Sequence, residues 1–259
     1  MRIKDLFLYA LLSLSVASCS KQPMPASPSS LTIINAVVGS APLVTDFSGT
    51  GAITWFSGAD KIAYNSFSTA DYGDNNQLSS YSGIQKLALY QYPDTLQQAK
   101  PLFNLTLTLP AGSINSLFLT GTVDAPDTLF VADQLPPHPV SDSVAAIRFV
   151  NLSPNSAPVS INLLGKANGS EVATLSYKGI TAFTSYPATH DIASYSFEFR
   201  DAATETLLAT YTADGINNAE SDPFNPTKIW RNRNTTLALL GVPGGSGDKA
   251  LSVLMINNY

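Results

Sequence analysis

Apolar and polar residues alternate over short runs through most of the chain. In FNLTLTL the apolar positions are Phe103, Leu105, Leu107 and Leu109; in YSFEF they are Tyr195, Phe197 and Phe199, and a further run carries Leu207, Ala209 and Tyr211. A period of two places such residues on one face of a strand, and the Gly, Pro, Asn and Asp between runs supply the turns. The segment DTLQQAK competes as a helix, but seven residues make a poor helix alone and the flanking period is two. The pattern predicts an all-β protein.

The pattern also repeats. Residues 31–49 align without gaps on 147–165 at an offset of 116, with identities at Asn35/Asn151, Ser40/Ser156, Ala41/Ala157, Pro42/Pro158 and Gly49/Gly165. Apolar replaces apolar at Leu31/Ile147, Ile33/Phe149, Ile34/Val150, Leu43/Val159 and Phe47/Leu163. Near the end of each copy SLFLTG (116–121) matches TLALLG (236–241), and DTLFV (127–131) is set against KALSV (249–253). Between the copies QLPPHPVSD, at 134–142, carries three prolines, which donate no ladder hydrogen bonds and mark a boundary. The expected architecture is two tandem antiparallel β-sandwiches of the immunoglobulin or transthyretin kind, at 31–133 and 143–259, each with roughly seven strands. A single larger sandwich or barrel is the alternative.

The N-terminus adds a location. Arg2 and Lys4 precede an apolar stretch from Leu6 to Ala17, too short to span a bilayer and suited to the core of an export signal. Val16-Ala17-Ser18-Cys19 resembles the lipobox of bacterial lipoproteins, which implies a signal peptide at 1–19 and lipidation of Cys19, the single cysteine of the chain. Residues 20–30, SKQPMPASPSS, read as an extended tether. Charged residues are 13% of the chain and the net charge is −5, with no Lys/Arg cluster, which argues against nucleic acid as a partner.

The start of the second copy, with Ile147, Phe149, Val150, Asn151, Ser153, Pro154, Pro158 and Val159, resembles the bacterial domain of unknown function 4397 family. The resemblance implies tandem domains in an exported lipoprotein of the Bacteroidota type and no catalytic residue. The first copy departs from it, with Val37 and Val38 where the second has Ser153 and Pro154.

Chemistry is sparse. His138 and His190 fall in the linker and in a loop of the second copy, and no spaced set of metal ligands accompanies them. A Gly-x-Ser-x-Gly elbow, a phosphate-binding Gly-Lys loop and a dinucleotide motif are all missing, so no cofactor is expected and the chain reads as non-enzymatic. DYGDNN (71–76) has the wrong spacing for an EF-hand and suits a solvated turn. Glu198, Asp201 and Glu205 surround a hairpin turn. The segment 217–236 is longer than a hairpin needs, and Trp230, Arg231 and Arg233 make it the candidate ligand-binding loop; the competing reading tucks Trp230 over the end of its own sandwich. Thr95, Thr128 and Ser143 lie in Asp-Ser/Thr-apolar triplets that resemble Bacteroidota O-glycosylation sites, expected on turns and the linker.

These features converge on a lipid-anchored envelope protein, in the outer membrane, with a binding, adhesion or scaffolding role. A glycan-binding accessory lipoprotein of a polysaccharide-uptake system, with Trp55 and Trp230 as stacking platforms, and a fimbrial-type subunit are the alternatives. Candidate partners are the membrane, a glycan or another envelope protein.

Overall fold

The computed structural model describes residues 27–48, 59–68, 75–94, 100–139, 141–217 and 230–258. In the first half the strands are β1 (Pro28–Asn35), β2 (Leu43–Asp46), β3 (Lys61–Ile62), β4 (Gln77–Tyr81), β5 (Gly83–Gln91), β6 (Phe103–Leu109), β7 (Ile114–Gly121) and β8 (Pro126–Ala132). In the second they are β9 (Val144–Asn151), β10 (Val159–Leu163), β11 (Val172–Leu175), β12 (Thr184–Pro187), β13 (Ser194–Asp201), β14 (Leu207–Asp214), β15 (Asn234–Leu240) and β16 (Ser252–Asn257).

The strands form four sheets, ordered β4-β1-β7-β8 and β3-β2-β5-β6 in the first half and β12-β9-β15-β16 and β11-β10-β13-β14 in the second. Each strand of one half therefore has a counterpart in the other, and each half holds eight described strands rather than the seven expected. One pairing departs from the antiparallel expectation. β1 runs parallel to β7, with Ile33 opposite Leu117, and β9 runs parallel to β15, with Phe149 opposite Leu237. The intervening strands supply the long crossover that a parallel pair requires.

Three apolar layers separate the four sheets. Leu31, Ile33, Leu43, Leu87, Leu89 and Leu117 fill the first half, while Phe149, Ile161, Phe197, Phe199, Trp230 and Leu237 fill the second. The third layer joins the halves and contains Ile34, Ala36, Phe118, Val150, Leu152, Ala238, Leu240 and Ile256, flanked by Phe67, Leu129, Val131, Ile180 and Leu254. Hence every residue of β15, and all but the first of β7 and β9, is buried, whereas β6 alternates. Strands covered on both faces lose the period-two signal.

The seam is self-complementary, as a two-fold dimer interface would be. Under the repeat, Ile34 corresponds to Val150, Ala36 to Leu152, Phe118 to Ala238, Leu129 to Leu254 and Val131 to Ile256, and all ten lie in it. Within this layer a large residue of one half has a small counterpart in the other at Ala36/Leu152 and Phe118/Ala238.

The identical residues of the repeat have a common task. Asn35 Nδ2 donates to Ser40 Oγ at 3.0 Å and to the Ile62 carbonyl at 3.2 Å, and its Oδ1 accepts from Val37 N at 3.1 Å. Asn151 Nδ2 donates to Ser156 Oγ at 3.1 Å and to the Leu175 carbonyl at 3.2 Å, and its Oδ1 accepts from Ser153 N at 3.0 Å. Each Asn thereby satisfies the buried polar groups where the chain crosses from one sheet to the other.

Several boundaries move. Pro28, Ser29 and Ser30, assigned by sequence to the tether, belong to β1 and pair with Tyr81, Ser80 and Ser79 of β4. A proline is tolerated there because it is the first residue of the strand. The last strand is offset by three residues: DTLFV is matched by SVLMI (252–256), since Phe118 opposes Leu129 and Ala238 opposes Leu254. Lys249 instead ends a 3₁₀ turn, Gly247–Lys249. The proline-rich linker is stitched to the second half, where Asn234 Nδ2 donates to the Pro136 carbonyl at 3.2 Å and its Oδ1 lies 3.0 Å from His138 Nε2.

Candidate functional site

The sequence-selected loop does not form the expected platform. Trp230 is buried in the second core with its ring edge against Tyr211, at a centroid distance of 6.1 Å. Its indole offers no face to a ligand, so the burial corrects its assignment as a binding residue and agrees with the competing reading. Arg231 donates from Nη2 to Ser143 Oγ at 2.7 Å, tying the loop to the start of β9, and Arg233 is exposed. Residues 218–229, Trp55, Asp71, Asp74, Thr95 and Cys19 lie outside the described residues. Thr128 sits half-buried within β8 opposite Leu119, not on a turn, and the Ser143 hydroxyl is engaged by Arg231. Thr128 is therefore not on the turn expected of it, whereas Ser143 lies outside the strands, directly before β9.

His190 is exposed, and its carbonyl accepts from Asn217 Nδ2 at 2.7 Å. Among the described residues no group of three or more His, Cys, Asp or Glu gathers to hold a metal. Glu198 pairs with Arg200 at 3.0 Å, and Asp201 Oδ1 accepts from the Ala203 and Thr204 amides of the hairpin turn. These carboxylates serve their own hairpin.

The seam carries both polar joints and an opening. Arg148 is buried in it, with Nη1 2.7 Å from Asp133 Oδ1 and Nε donating to Thr236 Oγ1 at 2.8 Å. Its guanidinium lies 4.6 Å from the centre of the Phe183 ring. Burial disfavours the Arg148 charge and lowers its pKa, with Asp133 acting in the opposite direction. Ser116 Oγ donates to Asp133 Oδ2 at 2.6 Å, and Thr120 Oγ1 donates to the Leu152 carbonyl at 2.7 Å.

Two equivalent positions on the seam then diverge. Tyr64 and Tyr177 correspond, as do Asn65 and Lys178, which have φ of 52° and 61°. The amide of Asn65 donates to Asn35 O and that of Lys178 to Asn151 O. In the second half Lys178 Nζ is 2.8 Å from Asp127 Oδ2, and Tyr177 reaches Thr120 Oγ1 at 3.4 Å. In the first half Asn65 Nδ2 donates to Ser252 Oγ at 3.2 Å, Ser252 being the counterpart of Asp127. The Tyr64 hydroxyl, however, is shielded from solvent and has no partner among the described residues. Burial, reinforced by Asp248, raises its pKa and keeps the phenol protonated.

The cause of the divergence is a turn. Between β7 and β8 the chain reverses through residues 122–125 after Gly121; between β15 and β16 it takes residues 242–251 after Gly241. Both glycines have φ near +85°, at +83° and +87°, and a Cβ would fall 2.3 Å from the Ala125 carbonyl oxygen and 2.2 Å from that of Ala250. The reversal starts the same way in each half, but the second makes a longer excursion that brings Asp248 and Lys249 beside Tyr64. The result is a cleft of about 590 Å³ lined by Gly39, Ser40, Pro42, Ala63, Tyr64, Asn65, Asp248 and Lys249. Its volume lies inside the range of about 300–1,000 Å³ typical of small-molecule sites. Ser40 and Pro42 stand out in the sequence only as identities of the repeat, because the cleft exists only where the two halves meet.

No family model and no curated protein matches the chain. Among solved structures, the chain is similar to one reported for α-glucan recognition by family 41 carbohydrate-binding modules from streptococcal virulence factors, at 12% identity and a TM-score of 0.26 over 88% of this chain and 97% of that one. It is also similar to one reported for α-glucan binding by a streptococcal virulence factor, at 11% identity and a TM-score of 0.27 over 82% and 93% of the two chains. A candidate adhesin from Bacteroides ovatus shows 12% identity and a TM-score of 0.22 over 88% and 92%. Likeness at this level carries no argument about the site, which is read from its own residues.

Proposed function

We propose that this chain is a non-enzymatic binding protein of the cell envelope, held at the outer membrane by lipid on Cys19, that engages a small polar ligand at the seam cleft. The reading is carried by one observation: the longer turn of the second half sets Asp248 and Lys249 over a cleft at the seam that Gly39, Pro42, Ala63 and Asn65 also line. A concave surface with a few polar groups beside apolar ones is the usual form of a small-molecule site. The lipobox-like Val16-Ala17-Ser18-Cys19 and the proline-rich residues after it support the anchor, and the resemblance to the domain of unknown function 4397 family supports an exported, non-catalytic protein.

The anchor is tested by fractionation: Cys19→Ala releases the protein from membranes, and retention resistant to salt and carbonate contradicts lipidation. Binding is tested by a thermal-shift screen of saccharides, amino acids and short peptides, since a ligand selective for the folded state raises its stability by mass action. At least one class raises the midpoint of the parent protein and acts less on Lys249→Ala. No shift from any class contradicts the cleft as a binding site.

A further inference from the structure

Resting on the proposed lipid at Cys19, we infer that the corner between β4 and β5 is a membrane-contact surface, with Tyr81 and Ile84 seated at the headgroup boundary of the bilayer. Tyr81 is 69% and Ile84 73% exposed, the highest values of any large hydrophobic residue among those described. They stand on either side of Ser82 and Gly83, where the chain passes from the β4-β1-β7-β8 sheet to the β3-β2-β5-β6 sheet. Apolar surface held in water is stabilised by whatever covers it.

The occupant follows from where the chain enters the fold. Pro28, the first residue of β1, lies opposite Tyr81, and the Ser82 amide donates to the Ser27 carbonyl at 3.1 Å. Pro28 stands nine residues beyond Cys19, so even a fully extended chain holds it within about 30 Å of the lipidated residue. The turn before β7 completes this end, with the Gly112 amide donating to the Pro28 carbonyl at 2.9 Å.

The composition of this end suits lipid. Residues 27–30, 80–85 and 108–114 carry no charged side chain. Asp133, whose amide donates to the Ile114 carbonyl, is buried and paired with Arg148. Charged groups resist leaving water, so these segments approach a bilayer without that cost. The first charge beyond the corner along β5 is Lys86, which is exposed and of the sign that anionic headgroups attract. Tyrosine, an apolar ring ending in a hydroxyl, favours the membrane–water boundary. Two side chains bind lipid weakly alone, but the tether makes the contact intramolecular, and a weak contact then persists.

The test uses the full lipidated chain in vesicles of phosphatidylethanolamine and phosphatidylglycerol that contain a nitroxide-labelled lipid. With Cys19 blocked by lipid, Ser82→Cys supplies one free thiol for an environment-sensitive fluorophore. Ser246→Cys supplies the control, because its turn meets Gly39, beyond the other end of β1. The expected result is a blue-shifted, nitroxide-quenched label at position 82 and an unquenched one at 246. Quenching at 82 is lost in Tyr81→Ser/Ile84→Ser, which alters only exposed residues and leaves the chain in the vesicles. A retained chain with position 82 unquenched, or quenched equally in that variant, would overturn the inference and leave the anchor standing. A blue shift that grows with protein density and ignores the nitroxide would give the patch to a second copy and overturn it too. A chain that never enters the vesicle fraction would overturn the anchor and the inference with it.

Discussion

Tyr64 and Tyr177 occupy equivalent positions on the seam, yet Tyr177 reaches Thr120 Oγ1 at 3.4 Å while the Tyr64 hydroxyl has no partner among the described residues. Removing an unpaired hydroxyl recovers its desolvation cost, about 1–3 kcal/mol. Tyr64→Phe therefore stabilises the protein in urea denaturation, whereas Tyr177→Phe is neutral or mildly destabilising. A Tyr64→Phe protein less stable than its parent would mean that the hydroxyl is satisfied in the free protein.

The Arg148–Asp133 pair joins the second half to the end of β8. Arg148→Met strands a buried carboxylate and is expected to cost about 3–5 kcal/mol, while Arg148→Met combined with Asp133→Leu regains most of that loss. A double-mutant cycle measured by chemical denaturation checks this. Equal and additive losses would show that the two side chains are not coupled.

Trp230→Ala removes a large side chain from the second core and is expected to cost about 3–5 kcal/mol, with a fall of several degrees in the melting temperature. Calorimetry measures the loss. Unchanged stability would place the indole at the surface, contrary to its burial.

The sequence pattern treats the halves as independent sandwiches, but the third apolar layer predicts that they stay together. Cleavage between 134 and 142 is expected to leave the fragments associated on size-exclusion chromatography, because separation exposes Phe118, Ile34, Val150 and Leu240, each worth about 1.5–3 kcal/mol when fully buried. Fragments that elute apart and melt separately would show the layer to be dispensable.

Much of this was legible beforehand, and what was not has identifiable causes. The repeat was visible because Asn35/Asn151 and Ser40/Ser156 make the same buried hydrogen bonds in each half. Alternation revealed β6 and β13, which have one covered face. The seam was hidden because Phe118 and Val150 lie in strands buried on both faces, where a continuous apolar run does not say what covers the second side. The last strand was misaligned because the length of the excursion through Asp248 and Lys249 is not encoded in any local pattern. The cleft depends on that same excursion and could not have been placed without it.

Native-state hydrogen exchange on Phe118→Asp tests the central claim, that the two halves form one body across a self-complementary seam. A carboxylate in the third layer is buried among apolar side chains and destabilises the packing that Phe118 shares with Ala238 and Val150. The account predicts that amides of β15, in the other half, lose protection together with those of β7. Loss confined to β7, with β15 protected as in the parent, would contradict it.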